Sequence, residues 1–332
     1  MLNIAFRVDG GKEIGLGHAV RCLNLARKLK ETTDCAITFI SATPSVFSEL
    51  NTGDYGIEPG ISDNIHITPD ILIVDLPAIN EEDLLYFKSR AKFLVNIDDH
   101  NGNIRFSSDI LIKPNFNKSV NHLYPGTTRY LAGKDYIILG KQFEAFDREQ
   151  RAIPAGPKGI LVCFGGSDPE NLTQRLIPIL EQADSKPRID LVIGASFGAM
   201  SEIARLVSRQ KRYSLHKNAS NMAPLMWGAD LAVISGGTLM YEACTLGTPA
   251  IIISQNQEQD DEARLFDRKG AVVYLGLHNK IDNPKTGRTI EAILGDAPLR
   301  RRLSQTARKL VDSGGAARIA RIIIVEYNRE YA

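Results

Sequence analysis

Short, continuous apolar runs, each followed by a stretch of helical periodicity, recur along this chain and constrain its fold more than any other feature. In the first half the runs are Ile4–Val8, Ala36–Ile40, Ile71–Val74, Phe93–Ile97 and Ile110–Ile112. Runs without polar alternation are strands covered on both faces, which form parallel sheets flanked by helices. Between Arg148 and Lys158 the pattern lapses; two prolines and a glycine without periodicity mark a linker. It restarts with Gly159–Phe164, Asp190–Ile193, Leu231–Ser235, Ala250–Ile253 and Ala271–Leu275, and closes on a strongly apolar helix, Ala316–Tyr327. At 332 residues the chain accommodates two domains of about 150 residues each. The expectation is an α/β protein with Rossmann-like domains at 1–150 and 151–315, and a helix over 316–332 that packs back on the first. Two such halves make a cleft, and ligands of open α/β sheets sit at the carboxyl ends of strands.

The turn after the first strand carries the first chemical signal. Gly15-Leu16-Gly17-His18, followed by Val20 and Arg21, lies between that strand and an amphipathic run from Ala19 to Lys30. Glycines let the backbone approach a ligand, and a helix start leaves N–H groups that favour an anion. A histidine there can move a proton at neutral pH. Glycine pairs also serve packing, and single histidines are often surface residues. Together the residues point to chemistry beside a phosphorylated group.

Lys and Arg number 40 against 39 Asp and Glu, a net charge of +1 that argues against nucleic acid or an anionic membrane as partner. Arg300, Arg301 and Arg302 read as a solvated helix face. Cys22, Cys35, Cys163 and Cys244 form no C-x-x-C pair and read as buried free thiols. Met1–Val8 is too short for a secretory signal, and no apolar run reaches the roughly 18 residues of a membrane span. The expectation is a soluble, cytoplasmic protein.

Three polar stretches follow strands of the second half. Gly165-Gly166-Ser167-Asp168-Pro169 reads as a turn into a helix, with a capping residue and a proline at its first position. Ser235-Gly236-Gly237-Thr238 repeats the logic of the first turn, suited to a diphosphate, and Glu242 lies one helical turn further on, where a carboxylate can accept both hydroxyls of a ribose. The bland alternative for Glu242 is a first-turn acid that complements the helix dipole. Gln255-Asn256-Gln257-Glu258-Gln259 offers amides to sugar hydroxyls or phosphate, or is an ordinary loop. Asp98-Asp99-His100 matches no metal-ligand spacing and reads as a polar loop. Neither a Walker A sequence nor G-x-G-x-x-G is present.

In order, the chain carries Phe6-Arg7-Val8-Asp9, Gly15-Leu16-Gly17-His18-x-x-Arg21, Phe164-Gly165-Gly166-Ser167-Asp168-Pro169, Asn221-Met222-x-x-Leu225-Met226, Ala229-Asp230-Leu231-Ala232, Gly236-Gly237 with Glu242, and Asn256-Gln257. From about residue 3 to residue 275 this set resembles the UDP-2,4-diacetamido-2,4,6-trideoxy-β-L-altropyranose hydrolases of pseudaminic acid biosynthesis and the related spore-coat polysaccharide proteins. That family is similar to the two-domain GT-B glycosyltransferases. The resemblance implies a UDP-sugar with uridine on the second domain, the sugar facing the first-domain loop, water as acceptor, cleavage at the anomeric carbon, and neither metal nor cofactor. It carries the family's histidine onto His18, its diphosphate and ribose residues onto Gly236, Gly237 and Glu242, and its Asn-Gln pair onto Asn256 and Gln257.

Gly15, Gly17, Arg21, Gly165, Gly166, Ser167, Ser235 and Thr238 complete the expected binding set, and Asp9 is a candidate partner for His18 or a sugar hydroxyl. Two departures stand out. Where the family places a tyrosine after the strand ending Val74-Asp75, this chain reads Leu76-Pro77-Ala78, with no aromatic until Tyr86; and Gly140-Lys141-Gln142-Phe143 replaces a more usual Leu-Arg-Pro-Glu-Phe. The rivals to a nucleotide-sugar hydrolase are an inverting glycosyltransferase with the same donor and a non-catalytic nucleotide-sugar binder. The sequence sets neither the sugar nor the oligomeric state.

Overall fold

The computed structural model describes residues 1–11, 15–50, 53, 55–60, 66–98, 104–116, 125–146, 150–194, 197–198, 200–208, 210–219 and 221–331. The chain divides into two compact units, Met1–Gly140 with Ser313–Ala332, and Lys141–Asp312.

The first unit is built on strands β1 (Leu2–Val8), β2 (Cys35–Ser41), β3 (Gly56–Pro59), β4 (Ile71–Asp75), β5 (Phe93–Ile97), β6 (Ile110–Lys113) and β7 (Arg129–Ala132), with helices α1 (Gly17–Thr32), α2 (Ser45–Glu49) and α3 (Glu81–Arg90). Every pairing is parallel, in the order β3-β2-β1-β4-β5-β6-β7. β4, β5 and β6 are buried along their whole length, which is why they read as predominantly apolar runs, each with a single polar residue. The strand order reverses between β1 and β4, and in open α/β sheets ligands bind outside the carboxyl ends of the strands at such a switch point.

The second unit repeats the plan with β8 (Gly159–Cys163), β9 (Arg188–Ile193), β10 (Tyr213–Lys217), β11 (Leu231–Ile234), β12 (Ala250–Ser254) and β13 (Val273–Leu277), in the order β10-β9-β8-β11-β12-β13. Its helices are α4 (Leu172–Glu181), α5 (Met200–Val207), α6 (Met222–Gly228), α7 (Thr238–Leu246), α8 (Gln257–Arg268), α9 (Asn283–Gly295) and α10 (Ala297–Leu310). All pairings are again parallel. The switch point falls between β8 and β11.

The last helix, α11 (Gly315–Tyr331), belongs to the first unit. Ala316, Ile319, Ala320, Ile323 and Tyr327 recur every three or four residues and join the core that contains Phe6, Phe39 and Val95. A side chain at Gly315 would place its Cβ 2.0 Å from the Ile137 carbonyl oxygen, so only glycine lets the helix start this close.

Three local expectations need correction. The unit boundary lies at 140–141 rather than 150–151, because the short helix Lys141–Phe146 is fastened to the second unit. Gln142 Oε1 accepts from the Ala223 amide, and the Phe146 ring lies 4.8 Å from that of Trp227. Arg300 is not on a solvated face: it is fully buried, and its guanidinium donates to the Ile293, Leu294 and Pro154 carbonyls. Those first two carbonyls end α9, where a cation offsets the helix's negative pole. Finally, α4 starts at Leu172 and not at Pro169, although Asp168 still caps it by accepting from the Leu172 and Thr173 amides at 2.9 and 2.8 Å. All four cysteines are free and buried. Among the described residues no helix is long and apolar enough to cross a membrane.

Candidate functional site

At the switch point of the first sheet, Val8 of β1 stands in register with Asp75, the last residue of β4. The chain leaves β1 through a loop whose ends, Gly11 and Gly15, exchange two backbone hydrogen bonds of 3.0 and 2.7 Å. Gly15 has φ +82°, a conformation that favours glycine, and a Cβ at Gly15 or Gly17 would meet nothing within 4 Å among the described residues. α1 then begins without a side-chain cap.

Its first turn sends His18, Arg21 and Cys22, spaced i, i+3 and i+4, toward one carboxylate. His18 Nδ1 lies 2.7 Å from Asp75 Oδ1. Arg21 grips the same group in fork fashion, Nε to Oδ2 and Nη2 to Oδ1, both at 2.6 Å. Burial alone would raise the Asp75 pKa; the Arg21 charge and hydrogen bonds, with those of His18, outweigh it and hold the carboxyl below its ordinary value. An ionised carboxylate only accepts, so His18 Nδ1 carries the hydrogen and Nε2 becomes the basic nitrogen of the neutral ring. Arg21 Nη2 stands 3.0 Å from Nδ1 because both converge on one oxygen.

The partner of His18 is therefore Asp75, which the sequence reading missed, and not Asp9. Asp9 is taken up by Arg7 through bonds of 2.6 and 2.9 Å, and also accepts from the Ala42 amide and the Ser41 hydroxyl. Arg21, expected among the substrate-binding residues, is committed to Asp75. Leu76, where the expected tyrosine is missing, is buried, and Tyr86 packs from α3 against the cluster of Leu72, Val74 and Phe87. Asp99 and His100 lie outside the described residues; Asp98 is buried just beyond β5.

In the second unit the turns after β8 and β11 meet the same topological condition. Gly165 has φ +89°, and a Cβ at Gly194 would strike the Gly166 backbone at 2.3 Å, so the β8 turn lies directly against the end of β9. Ser167 is half-buried in that turn. Ser235 is buried and its amide donates to the Cys163 carbonyl; Gly237 has φ +71° and caps α7, which has no side-chain cap. Thr238 opens the helix exposed. Gly236 needs its bare α-carbon because Gln259 Cβ would stand 2.8 Å from any side chain there. Gln259 thus backs the turn, its Oε1 held by the Gln255 amide at 3.0 Å.

Glu242 is half-buried in α7 and meets no donor or cation among the described residues. Burial pushes its carboxyl up to about 8. Asn256 and Gln257 are partly occupied: Asn256 Oδ1 caps α8 by accepting from the Gln259 amide, and the Gln257 amide group donates to Asp260 and Asp261. Among the described residues, Asn256 Nδ2 and Gln257 Oε1 meet no hydrogen-bond partner. Among the described residues no group of three or more His, Cys, Asp or Glu side chains is placed to hold a metal ion.

No family model matches the chain. It is 30% identical over 344 residues to the spore coat polysaccharide biosynthesis protein SpsG of Bacillus subtilis, covering 99% of this chain and 100% of that protein. It is 25% identical over 285 residues to the UDP-2,4-diacetamido-2,4,6-trideoxy-beta-L-altropyranose hydrolase of Campylobacter jejuni, covering 81% and 97% of the two chains. Among solved structures, MurG of Acinetobacter baumannii aligns with a TM-score of 0.66 at 14% identity, over 98% of this chain and 100% of that one, a likeness of fold.

Proposed function

The chain belongs to the family of SpsG and the PseG-type UDP-sugar hydrolases, with the GT-B fold, and from that premise we propose that it is a metal-independent nucleotide-sugar hydrolase. Its substrate in this reading is a UDP-linked amino or deoxy sugar of nonulosonic-acid or surface-polysaccharide biosynthesis, cleaved at the anomeric carbon to free sugar and UDP. The observation that carries the reading is the bond from His18 to Asp75 at a sheet switch point, beside the Gly15–Gly17 turn.

In this mechanism His18 Nε2 takes a proton from water as the water oxygen bonds to the anomeric carbon. The bond from that carbon to the diphosphate oxygen breaks, and UDP leaves with the electron pair. Asp75 holds the imidazole in the right tautomer and stabilises the imidazolium that forms; a positioned base of this kind contributes about 10²–10⁴-fold. Arg21 keeps Asp75 ionised. For the diphosphate this reading looks to the start of α7, where the Gly236-Gly237 amides offer donors to the departing charge. Glu242 accepts from the ribose hydroxyls, the partner its carboxyl otherwise lacks.

The test is incubation of the purified protein with a panel of UDP-sugars and no acceptor, followed by ¹H and ³¹P NMR. Release of free sugar and UDP together supports the reading. UDP-sugars that bind but remain intact until an alcohol is added would replace it with glycosyl transfer.

A further inference from the structure

We infer that Cys22 is a positioning residue for the His18–Asp75 pair, its buried thiol completing the set of donors that fixes the carboxylate. Cys22 Sγ lies 3.3 Å from Asp75 Oδ2, and both residues are fully shielded from solvent. A carboxylate offers about four lone-pair directions. Two at Oδ1 face His18 Nδ1 and Arg21 Nη2, and two at Oδ2 face Arg21 Nε and Cys22 Sγ. One helical turn therefore supplies all four contacts, and Cys22 is the member with no charge to contribute.

Burial, then the nearby Asp75 charge, raise the Cys22 thiol well above its ordinary value, so it stays protonated and donates. Its neighbours on the helix face, Ala19, Leu23 and Ala26, are core residues, so water does not replace a lost thiol. Removing the donor leaves Asp75 with one bond fewer and makes it a stronger acceptor toward His18. The imidazolium is then favoured, and the base stays protonated to higher pH. Among the described residues, the charged groups that face this carboxylate are His18 and Arg21 from α1; Asp9, beyond the neighbouring end of β1, is neutralised by Arg7.

The inference rests on the reading of His18 as the base, but its decisive test needs no turnover. The His18 imidazole is titrated by ¹⁵N NMR in the wild type, Cys22→Ala, Cys22→Val and Cys22→Ser. Valine fills the space without donating; serine restores a donor. The expected result is an upward move of the midpoint by about 0.3–1 pH unit in the alanine and valine variants, with serine close to wild type. If substrate is in hand, kcat/KM at pH 6 falls about two- to tenfold in those two variants with KM nearly unchanged. A midpoint unmoved in the valine variant, or moved as far by serine as by valine, overturns the role of Cys22. A wild type that hydrolyses no UDP-sugar sinks the hydrolase reading instead, and leaves the titration to decide on Cys22.

Discussion

Glu242→Gln is expected to stabilise the second unit and weaken its grip on UDP at the same time. The Glu242 carboxyl moves from its ordinary 4.5 to about 8 on folding, because burial disfavours its charge and no partner compensates. Below pH 4.5 it is protonated in both states and carries no penalty. The penalty grows as pH rises, because the unfolded chain ionises first, and levels off above pH 8, where both states are ionised. At about 1.36 kcal/mol per pH unit the full difference is on the order of 5 kcal/mol, and about 3 kcal/mol has accrued by pH 7. Water screens a half-buried carboxyl, so about 1–2 kcal/mol is the gain expected from the neutral isostere near pH 8. For a unit of this size that is a rise in melting temperature of about 2–8 °C, nearly absent at pH 5. Above pH 8, where the wild-type group is ionised, the ribose bond lost with the charge weakens UDP by about 1.5–3 kcal/mol. Melting curves at pH 5 and pH 8 and calorimetric titration with UDP measure both arms. A variant no more stable than wild type at pH 8, or one that binds UDP as tightly, refutes the argument.

Four further outcomes are expected. His18→Ala abolishes hydrolysis while UDP affinity stays within a few-fold, and Asp75→Asn loses about 10²–10⁴-fold in kcat because the amide allows the wrong imidazole tautomer; a variant of either residue that keeps most of its turnover removes the dyad from the mechanism. EDTA leaves hydrolysis unchanged, since the start of α7 supplies positive potential at the diphosphate; loss of activity restored by a divalent ion would bring Asp98, Asp99 and His100 forward. With Leu76-Pro77-Ala78 in place of a phenol, a buried sugar group left unpaired costs about 1–3 kcal/mol, so the diacetamido-trideoxy-altrose nucleotide is hydrolysed poorly. A kcat/KM for it of about 10⁴–10⁸ M⁻¹s⁻¹ would show the departure to be neutral.

The architecture was legible wherever a strand is covered on both faces. β4, β5 and β6 hold only buried residues and announce themselves as apolar runs. The strands that escaped notice, β3, β7 and β10, all stand at sheet edges and read Gly-Ile-Glu-Pro, Arg-Tyr-Leu-Ala and Tyr-Ser-Leu-His-Lys. An edge strand has one neighbour and, here, a half-exposed surface, so its composition carries little hydrophobic signal. Arg300 misled for the converse reason: a triplet of arginines looks solvated, and only the fold brings the end of α9 and Pro154 to the first of them.

The geometry of the candidate site was legible where its residues sit together in the chain and illegible where the sheet brings them together. Gly15, Gly17 and His18 lie together in one stretch, as do Ser235, Gly236 and Gly237, and both stretches are visible in the letters. Asp75 lies 57 residues from His18 and reaches it only because β4 pairs with β1 rather than with the strand before it. A signal was present: an acid ends an otherwise wholly apolar strand at Val74-Asp75, and a buried carboxylate there demands cations or donors. Asp9, nearer in sequence, attracted the role through proximity alone. Yet Arg7 projects from the same strand and claims it at 2.6 Å, so the carboxylate closer along the chain is spent on pinning the end of β2 through Ser41 and Ala42. Strand order decided which of the two acids meets the histidine.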